Sequence, residues 1–473
     1  MSTSSWFTRL TIKKPVQHGD AAERAGPLTR SIGLFQLTML GVGSTVGTGI
    51  FVVMSEAVPK AGPAVILSFI IAGITAALTA LCYAELAANI SESGSAYSYA
   101  YATLGELPAY AVAWCLLLEY GVSSAAVAVG WGQYLNKFLQ GTLGWAIPTA
   151  YSLPAESGGV FNLPAVVLVM MCGILLLRGA RESAAVNAVM VLVKLAVLCL
   201  FIAIALYGFQ SSNLQPFLPL GAAGVSAAAG TIFFSYIGID AITTAGDEVK
   251  NPRRNMPLAI IISLVIVTVI YVLVAFAAVG AQPQAAFKGQ EAGLAAILET
   301  LTGAKWPIVV LSAGAVISIF SVTLVTLYGQ TRIMMVMSRD GMLPRLFGHV
   351  RAGRKAPVPN TLIVCALVAL VAAVFPLDVL ADLTSLGTLV AFSVVSVAVL
   401  ILRKKHPEPT GRFRVPFSPF FPLLSIAFCI YLVASLPGKT YLLFAIWLSA
   451  AALVYLVYSY RNSALRRSDP GHN

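Results

Sequence analysis

The most informative part of the sequence is Gly41-Val42-Gly43-Ser44-Thr45-Val46-Gly47-Thr48-Gly49, which interrupts an apolar run with four glycines and three hydroxyl residues. Glycine is costly in a helix interior, so this density predicts an unwound segment in the middle of a helix. Close helix packing through GxxxG-like spacing is the alternative interpretation. A second apolar run contains Phe233-Phe234-Ser235-Tyr236-Ile237-Gly238-Ile239-Asp240, where hydroxyls, a glycine and a carboxylate predict another interruption.

The remainder of the chain has the composition of a helical membrane protein. Of its 473 residues, 58% are apolar and only 10% are charged, and the mean hydropathy is +0.85. Soluble domains carry about 25% charged residues, so a soluble fold would have too little polar surface. Disordered, collagen-like and coiled-coil classes are excluded as well. The composition predicts an all-α integral membrane protein embedded in the lipid bilayer.

Apolar runs and their flanking breakers predict twelve transmembrane helices joined by short loops in one membrane domain. The predicted spans cover residues 35–57, 62–89, 106–138, 161–177, 183–208, 221–246, 256–280, 305–338, 361–376, 380–402, 421–437 and 440–460.

The basic residues predict the orientation of these spans. Of the 30 lysines and arginines, 24 lie before the first span, after the last or in even-numbered loops, five lie in odd-numbered loops, and Lys194 lies within a span. Positive charge favours the cytoplasmic side, so both termini are expected in the cytoplasm. The net charge of +11 thereby orients the protein, and no nucleic-acid partner is expected.

The sequence gives no sign of catalytic or metal chemistry. All six cysteines lie in apolar stretches, and the four histidines fall in tails or loops, without metal-ligand spacing. No nucleophile–base pair or HExxH motif occurs within the spans. The first 31 residues lack the apolar core of a secretory signal. We therefore expect no enzyme, no cofactor and no bound metal.

The two interruptions together predict a secondary transporter. They lie about 190 residues and five predicted helices apart, at corresponding positions of what would be two inverted repeats. Broken helices in a membrane are tolerated where the freed backbone groups line a cavity. Half-helix N-termini offer N–H groups to an anion and C-termini offer carbonyls to a cation, so an amino acid is the simplest matching ligand. A channel would need neither an inverted repeat nor a central occluded site.

Several motifs carry a family resemblance. Besides the two interruptions, they are Leu117-Leu118-Glu119-Tyr120-Gly121, Asp247-Glu248-Val249-Lys250-Asn251-Pro252, Tyr328-Gly329-Gln330-Thr331-Arg332 and Met337-Ser338-Arg339-Asp340-Gly341. With them the chain resembles the amino acid, polyamine and organocation transporter superfamily, and within it the bacterial relatives of the cationic amino acid transporters. The resemblance implies a leucine-transporter-like fold with two inverted five-helix repeats and two appended helices.

The expected organisation follows from this resemblance. It comprises a cytoplasmic tail (1–34), a first repeat with helices 1–5 (35–210), a second repeat with helices 6–10 (211–402), helices 11 and 12 (403–460) and a second cytoplasmic tail (461–473).

The resemblance also implies where the substrate binds. The family pattern puts the substrate carboxylate on backbone amides around Gly47, Thr48 and Gly49, next to Val46. It puts the α-amino group on carbonyls of Thr45, Phe234, Ser235 and Ile237. Cationic and small neutral amino acids are both candidate substrates, and the sequence makes no prediction of the oligomeric state.

Ionisable residues within spans are functional candidates by default. Glu119 is either a structural carboxylate or part of a proton path with Lys194, and Asp240 either stabilises the unwound backbone, which we favour, or faces a cationic substrate. Glu85, near the end of the second span, is expected to reach the interface.

Lys194 is the predicted coupling residue. It lies about 16 Å into the fifth span at 1.5 Å per residue, where related transporters that couple to sodium hold the ion, between helices 1 and 8. Its expected neighbours are Ser318, Ser321 and carbonyls near Val42; the alternative is a fixed cation paired with Glu119. The expected function is proton-coupled symport of L-amino acids across the plasma membrane. The alternative is an amino acid or polyamine exchanger without proton coupling.

Overall fold

The computed structural model of the chain describes residues 32–90, 95–178, 184–244, 249–349, 357–405 and 413–464. Over these residues the structure is helical and contains no strand, only two isolated bridges, Ile32 with Val249 and Pro154 with Val160. The predicted all-α class is therefore confirmed for the part of the chain that the structure describes. Of the predicted tails at residues 1–34 and 461–473, residues 1–31 and 465–473 lie outside it.

The α-helices follow in chain order. They are α1 Leu34–Thr45, α2 Thr48–Ala61, α3 Val65–Asn89, α4 Ser95–Thr103, α5 Glu106–Leu117, α6 Ser123–Leu143, α7 Thr149–Ser152, α8 Leu163–Leu177, α9 Ala184–Tyr207, α10 Gly221–Ile232, α11 Ala241–Thr244, α12 Pro252–Ala281, α13 Gly293–Thr302, α14 Lys305–Arg339, α15 Val358–Val374, α16 Leu377–Lys405, α17 Phe420–Ala434, α18 Gly438–Val454 and α19 Tyr460–Asn462.

Eight helical stretches among the described residues are long and apolar enough to cross a membrane. Three further apolar helices, α8, α15 and α17, have 15 to 17 residues. Most helix ends lie within about three residues of the predicted span ends, because prolines and glycines mark them. The short helices α4 and α13 are absent from the prediction, which assigned those segments to loops.

The first predicted break is present. Helix α1 ends at Thr45, Val46 and Gly47 are not helical, and α2 starts at Thr48. The second is present too, since α10 ends at Ile232 and passes through a 3₁₀ turn over Phe233–Tyr236 before α11 resumes at Ala241. The interpretation of the glycine-rich stretch as a continuous, closely packed helix is therefore wrong.

A third irregularity lies between α5 and α6. Leu118–Val122 forms a π-helical turn that joins the two helices into one long element. Such turns are often found at functional sites because they displace side chains from the regular helical register. Glu119 and Tyr120 lie in this turn, and both are buried.

The long helices pack around the two breaks. Helix α14 lies along α6, and Ser124 of α6 donates a 2.7 Å hydrogen bond to Thr326 of α14. Helix α12 packs against α1 and α3, while α9 contacts both α1 and α14. The broken segments are thus enclosed by α6, α12 and α14, and α9 lies behind α1.

Candidate functional site

The two backbone breaks are in direct contact. The Ser44 hydroxyl donates a 2.8 Å hydrogen bond to the carbonyl oxygen of Gly238. Gly238 has φ of +104°, and a Cβ there would lie 2.6 Å from the carbonyl oxygen of Ser44. A Cβ on Gly49 would lie 2.5 Å from the Cα of Ser235. Only glycine lets the backbones approach this closely, which explains part of the glycine density.

A tyrosine bridges the two breaks. The Tyr271 hydroxyl of α12 lies 2.9 Å from the carbonyl oxygen of Thr45 and 3.0 Å from that of Ser235. Its side chain is fully buried. The residue therefore holds together the ends of α1 and of the 3₁₀ turn that follows α10. Tyr271 is not among the residues predicted from the sequence, because one tyrosine in an apolar helix has the pattern of a core residue.

A cavity lies where the breaks meet. Its lining comes from both breaks, the π-helical turn, α6 and α14, through Ser44, Thr45, Gly47, Gly49, Glu119, Tyr120, Ser123, Val127, Phe234, Ile237, Gly238, Asp240, Val322 and Thr326. Its volume of about 30 Å³ accommodates about one water molecule. Binding anything as large as an amino acid thus requires the surrounding helices or side chains to move apart.

The structure brings most of the predicted substrate-binding residues to this cavity. Thr45, Gly47, Gly49, Phe234, Ile237 and Asp240 line it. Val46 is buried and does not line it, and Ser235 contributes its carbonyl to Tyr271 instead. The side chain of Thr48 lies outside the described residues, although its backbone begins α2. The first N–H groups of α2, from Thr48 onward, have no acceptor within the helix.

Several lining residues have no counterpart in the predicted site. Tyr120 adjoins Glu119 in the Leu117–Gly121 motif, so the sequence indicates its neighbourhood although not its role. Val322 and Thr326 lie one turn apart on α14 and Ser123 begins α6. Nothing in the local sequence of the α14 pair distinguishes it from ordinary packing residues; only the packing of α14 against α6 brings it to the cavity.

Two carboxylates face the cavity. Asp240 Oδ2 accepts hydrogen bonds from the Tyr120 hydroxyl at 2.7 Å and the Ser95 hydroxyl at 3.2 Å. Its Oδ1 atom and both carboxylate oxygens of Glu119 have no hydrogen-bond partner among the described residues. Both side chains are about 1% exposed. Buried acceptors without partners are costly, so these oxygens are suited to a bound proton or a cationic group.

Lys194 lies behind the cavity rather than in its wall. Its ammonium group is fully buried and donates a 2.8 Å hydrogen bond to the carbonyl oxygen of Gly43. The expected contact with a carbonyl near Val42 is therefore present. Ser318 Oγ has no hydrogen-bond partner among the described residues, so it makes no hydrogen bond to Lys194, although their helices α9 and α14 are in contact. Pairing of Lys194 with Glu119 is wrong, since the Glu119 oxygens have no partner there.

Ion pairs join the two ends of α16 to α2 and to α3. Lys60, near the end of α2, lies 3.9 Å from Asp382 Oδ2 and donates a 2.7 Å hydrogen bond to Thr231. At the other end, Arg403 Nε and Nη2 donate to both oxygens of Glu85 at 2.7 and 2.6 Å. Glu85 is only 2% exposed. Its carboxylate is therefore enclosed by protein and paired with Arg403, and the expectation that it reaches the membrane interface stays a prediction.

The described segments contain no candidate metal-binding site. They contain no group of three His, Cys, Asp or Glu side chains that could hold a metal ion. The quoted motif residues Asp247 and Glu248 lie outside the described ranges. The chemistry available at the cavity is therefore that of backbone amides, carbonyls, hydroxyls and two carboxylates.

Known proteins are similar in sequence to this chain. The sequence profile described as amino acid permease matches residues 32–459. A methylthioribose transporter of Bacillus subtilis is 43% identical over 98% of this chain and 100% of its own length. A branched-chain amino acid permease, BcaP, of the same organism is 42% identical over 93% of this chain and 95% of its own. The vacuolar cationic amino acid transporter 4 of Arabidopsis thaliana is 35% identical over 84% of this chain and 68% of its own length. These relatives are transporters and permeases, not enzymes, in agreement with the predicted class.

Proposed function

Because the chain belongs to the amino acid permease family, a group of multi-pass membrane proteins, we propose that it is a secondary transporter of L-amino acids driven by protons. The observation that carries the proposal is the meeting of two backbone breaks around one cavity, joined by Ser44 and Tyr271. An unwound pair of helices in a membrane is maintained where its free backbone groups serve a ligand.

The geometry of the breaks suits a zwitterion. The free N–H groups at the start of α2, at Thr48 and Gly49, can receive the carboxylate, while the carbonyls of Thr45, Phe234, Ser235 and Ile237 can receive the α-amino group. Two of these carbonyls, of Thr45 and Ser235, are held in place by Tyr271. In this proposal the tyrosine orients the acceptors, and the substrate backbone is recognised before its side chain.

We place the protein in the plasma membrane with twelve spans and both termini in the cytoplasm. Helices α1–α9 form the first repeat and α10–α16 the second, inverted one, followed by the last two spans. The two ion pairs of α16 are consistent with this arrangement. The Lys60–Asp382 pair belongs to the outer face and the Glu85–Arg403 pair to the inner face, where most basic residues of the sequence lie.

Coupling is assigned to Lys194. Its ammonium bonds to the carbonyl of Gly43 in α1, and neither residue lines the cavity. Loss of the proton would remove the positive charge that strengthens this hydrogen bond and so favour movement of α1 relative to α9 and α14. Glu119 faces the cavity itself, so it is placed to exchange a proton there, and Asp240, bound by Tyr120, to stabilise the second break.

The cavity lining bears on the substrate class. Val127, Phe234, Ile237 and Val322 surround it with apolar groups, which suits a small or branched aliphatic side chain, as in the name of the BcaP relative. Methylthioribose is a second candidate, favoured by the hydroxyls of Ser44, Thr45, Ser123 and Thr326 that line the same cavity. A sugar has neither the carboxylate nor the amine that the helix ends would bind.

The deciding experiment measures binding and then transport. Purified protein is heated with each of the twenty amino acids, methylthioribose and putrescine, because a ligand that binds only the folded state raises the melting temperature. We expect stabilisation by aliphatic L-amino acids and none by their decarboxylated analogues. The best ligand is then supplied to proteoliposomes with and without an inward proton gradient.

Each outcome has a defined meaning. Accumulation above the external concentration only under the gradient supports symport. Exchange of labelled for unlabelled substrate without any response to the gradient would instead establish an exchanger. Stabilisation by methylthioribose alone, or strong competition by putrescine, would overturn the assignment of amino acids.

A further inference from the structure

A second cavity lies far from the substrate site, at the end of α14. Its volume is about 400 Å³, and its walls include Ser338 and Arg339 of α14, Arg345 of the following 3₁₀ turn, and Tyr458 and Asn462 at the end of the last helical element. The two walls are joined by backbone: the N–H of Ala464 donates a 3.0 Å hydrogen bond to the carbonyl of Asp340. The Ser459 hydroxyl donates to the carbonyl of Met342 at 2.7 Å.

The charge in this cavity is positive. Arg339 and Arg345 are exposed, and neither makes an ion pair with any residue that the structure describes. The nearest acidic side chain in sequence, Asp340, does not line the cavity and accepts a 2.8 Å hydrogen bond from the Tyr97 hydroxyl. Two guanidinium groups, together with the hydroxyl of Tyr458, form a set of donors suited to an anion.

The surroundings of the cavity indicate the kind of anion. Leu453, Leu456 and Val457, which directly precede Tyr458, are 63, 64 and 67% exposed. In a chain that spans a membrane, such side chains contact acyl chains. A ligand that occupies both environments carries a phosphate group at one end and an apolar chain at the other. Paired arginines hold phosphate oxygens with several parallel N–H bonds, which a zwitterionic headgroup satisfies less well because its own cation repels them.

We propose that this cavity binds the phosphate group of an anionic phospholipid, held by Arg339 and Arg345. The acyl chains of the lipid would lie along the exposed apolar side of the last helix, at Leu453, Leu456 and Val457. The lipid would join the end of α14 to the end of the chain that the structure describes. The site is separate from the substrate cavity, so this proposal stands independently of the proposed transport function.

The test compares lipids on the purified full chain. Phosphatidylglycerol, phosphatidylethanolamine and inorganic phosphate are each added to detergent-solubilised protein, and the melting temperature is measured. Saturation at about ten times the dissociation constant is expected to raise it by about 2 °C for phosphatidylglycerol. Phosphatidylethanolamine and inorganic phosphate are expected to raise it much less.

Variants locate the effect. Arg339→Gln with Arg345→Gln is expected to abolish the response to phosphatidylglycerol, while Arg461→Gln, which removes an exposed arginine beside the cavity, keeps it. Arg339→Lys with Arg345→Lys retains the charge and is expected to keep a reduced response, which separates loss of binding from loss of folding. An unchanged response in the glutamine pair would overturn the site, and a response to inorganic phosphate equal to that of the lipid would overturn its lipid assignment.

Discussion

The Nζ atom of Lys194 lies 2.8 Å from the carbonyl oxygen of Gly43, two residues before α1 ends at Thr45. This hydrogen bond connects α9 to the half-helix that carries the first break. Neither Lys194 nor Gly43 lines the cavity, so the lysine contacts the first half-helix outside the candidate substrate site. In the proposed mechanism, this hydrogen bond is the contact through which protonation of Lys194 would influence the position of α1.

Replacing Lys194 with alanine is expected to separate binding from coupling. The cavity keeps all of its lining residues, so substrate affinity measured by thermal stabilisation should change by less than about threefold, well under the 1.4 kcal/mol of a tenfold change. Accumulation driven by an inward proton gradient in proteoliposomes should be lost.

The matched control for this variant is Lys288→Ala, which removes an exposed lysine and should leave accumulation unchanged. Continued concentration of substrate by Lys194→Ala under the gradient would contradict the coupling role. So would a requirement of the wild-type protein for sodium.

A single methyl group at Gly49 should close the substrate site. In Gly49→Ala the new Cβ would lie 2.5 Å from the Cα of Ser235, a backbone atom that cannot rotate away. The two breaks must move apart, so affinity for the substrate should fall at least about tenfold, or 1.4 kcal/mol. Equilibrium binding of labelled substrate measures the loss.

The corresponding control is Gly438→Ala, because a Cβ there has no atom within 4 Å. It should bind as the wild type does. If Gly49→Ala also binds normally, the close contact of the two breaks is not needed for recognition, and the site must lie elsewhere.

Removing the hydroxyl of Tyr271 tests whether the bridge between the breaks matters. Tyr271→Phe leaves the carbonyls of Thr45 and Ser235 without this donor. Loss of a buried hydrogen bond costs about 1–3 kcal/mol, which would weaken substrate binding about fivefold to more than a hundredfold if the bridge orients these acceptors. Isothermal titration gives the dissociation constant directly.

The control for Tyr271→Phe is the same substitution at the neighbouring Tyr236. Tyr236 lies 5.4 Å from Tyr271, centroid to centroid, but its hydroxyl donates to the carbonyl of Phe69, away from the cavity. Tyr236→Phe should therefore lower thermal stability without a matching loss of affinity. Equal effects of the two variants on affinity would refute a specific role for Tyr271.

The two breaks could be predicted from the sequence, but the residues that contact them could not. The breaks were predictable because glycine and hydroxyl residues inside an apolar run conflict with the requirements of a helix in lipid. The partners of the breaks were not. Tyr271 lies 226 positions after Thr45, and its apolar helix has no irregularity. Val322 and Thr326 likewise reach the cavity only through the packing of α14 on α6.

Local geometry escaped prediction for a related reason. The π-helical turn over Leu118–Val122 contains one residue more than a regular helical turn, which changes the direction of the Glu119 side chain. Hydrophobic periodicity is too coarse to reveal a single inserted residue in a helix that is buried on all sides. The fold class and the helix ends depend on composition and on prolines and glycines, which are local. Side-chain pairing depends on elements far apart in the chain, and Glu85 shows this most directly.

The buried pair of Glu85 and Arg403 should be among the stronger polar contributions to stability. Glu85 is 2% exposed, and its carboxylate also accepts a 2.7 Å hydrogen bond from the N–H of Val415. Removing Glu85 leaves Arg403, whose side chain is 22% exposed and keeps its hydrogen bond to the carbonyl of Val415, without its acidic partner. Loss of the hydrogen bonds that Glu85 accepts costs about 1–3 kcal/mol. Glu85→Leu should therefore lower the melting temperature of the purified protein by several degrees.

Two further variants identify the cause of that loss. Replacing both residues, as Glu85→Leu with Arg403→Leu, removes the unpaired charge and should recover part of the lost stability, since apolar replacements of ion pairs are often neutral. Lys439→Ala breaks an ion pair with Glu156 in which both side chains are 58% exposed, and such pairs contribute little. A loss in Lys439→Ala as large as in Glu85→Leu, or a double variant less stable than Glu85→Leu, would show that burial of the pair is not what stabilises this end of α16.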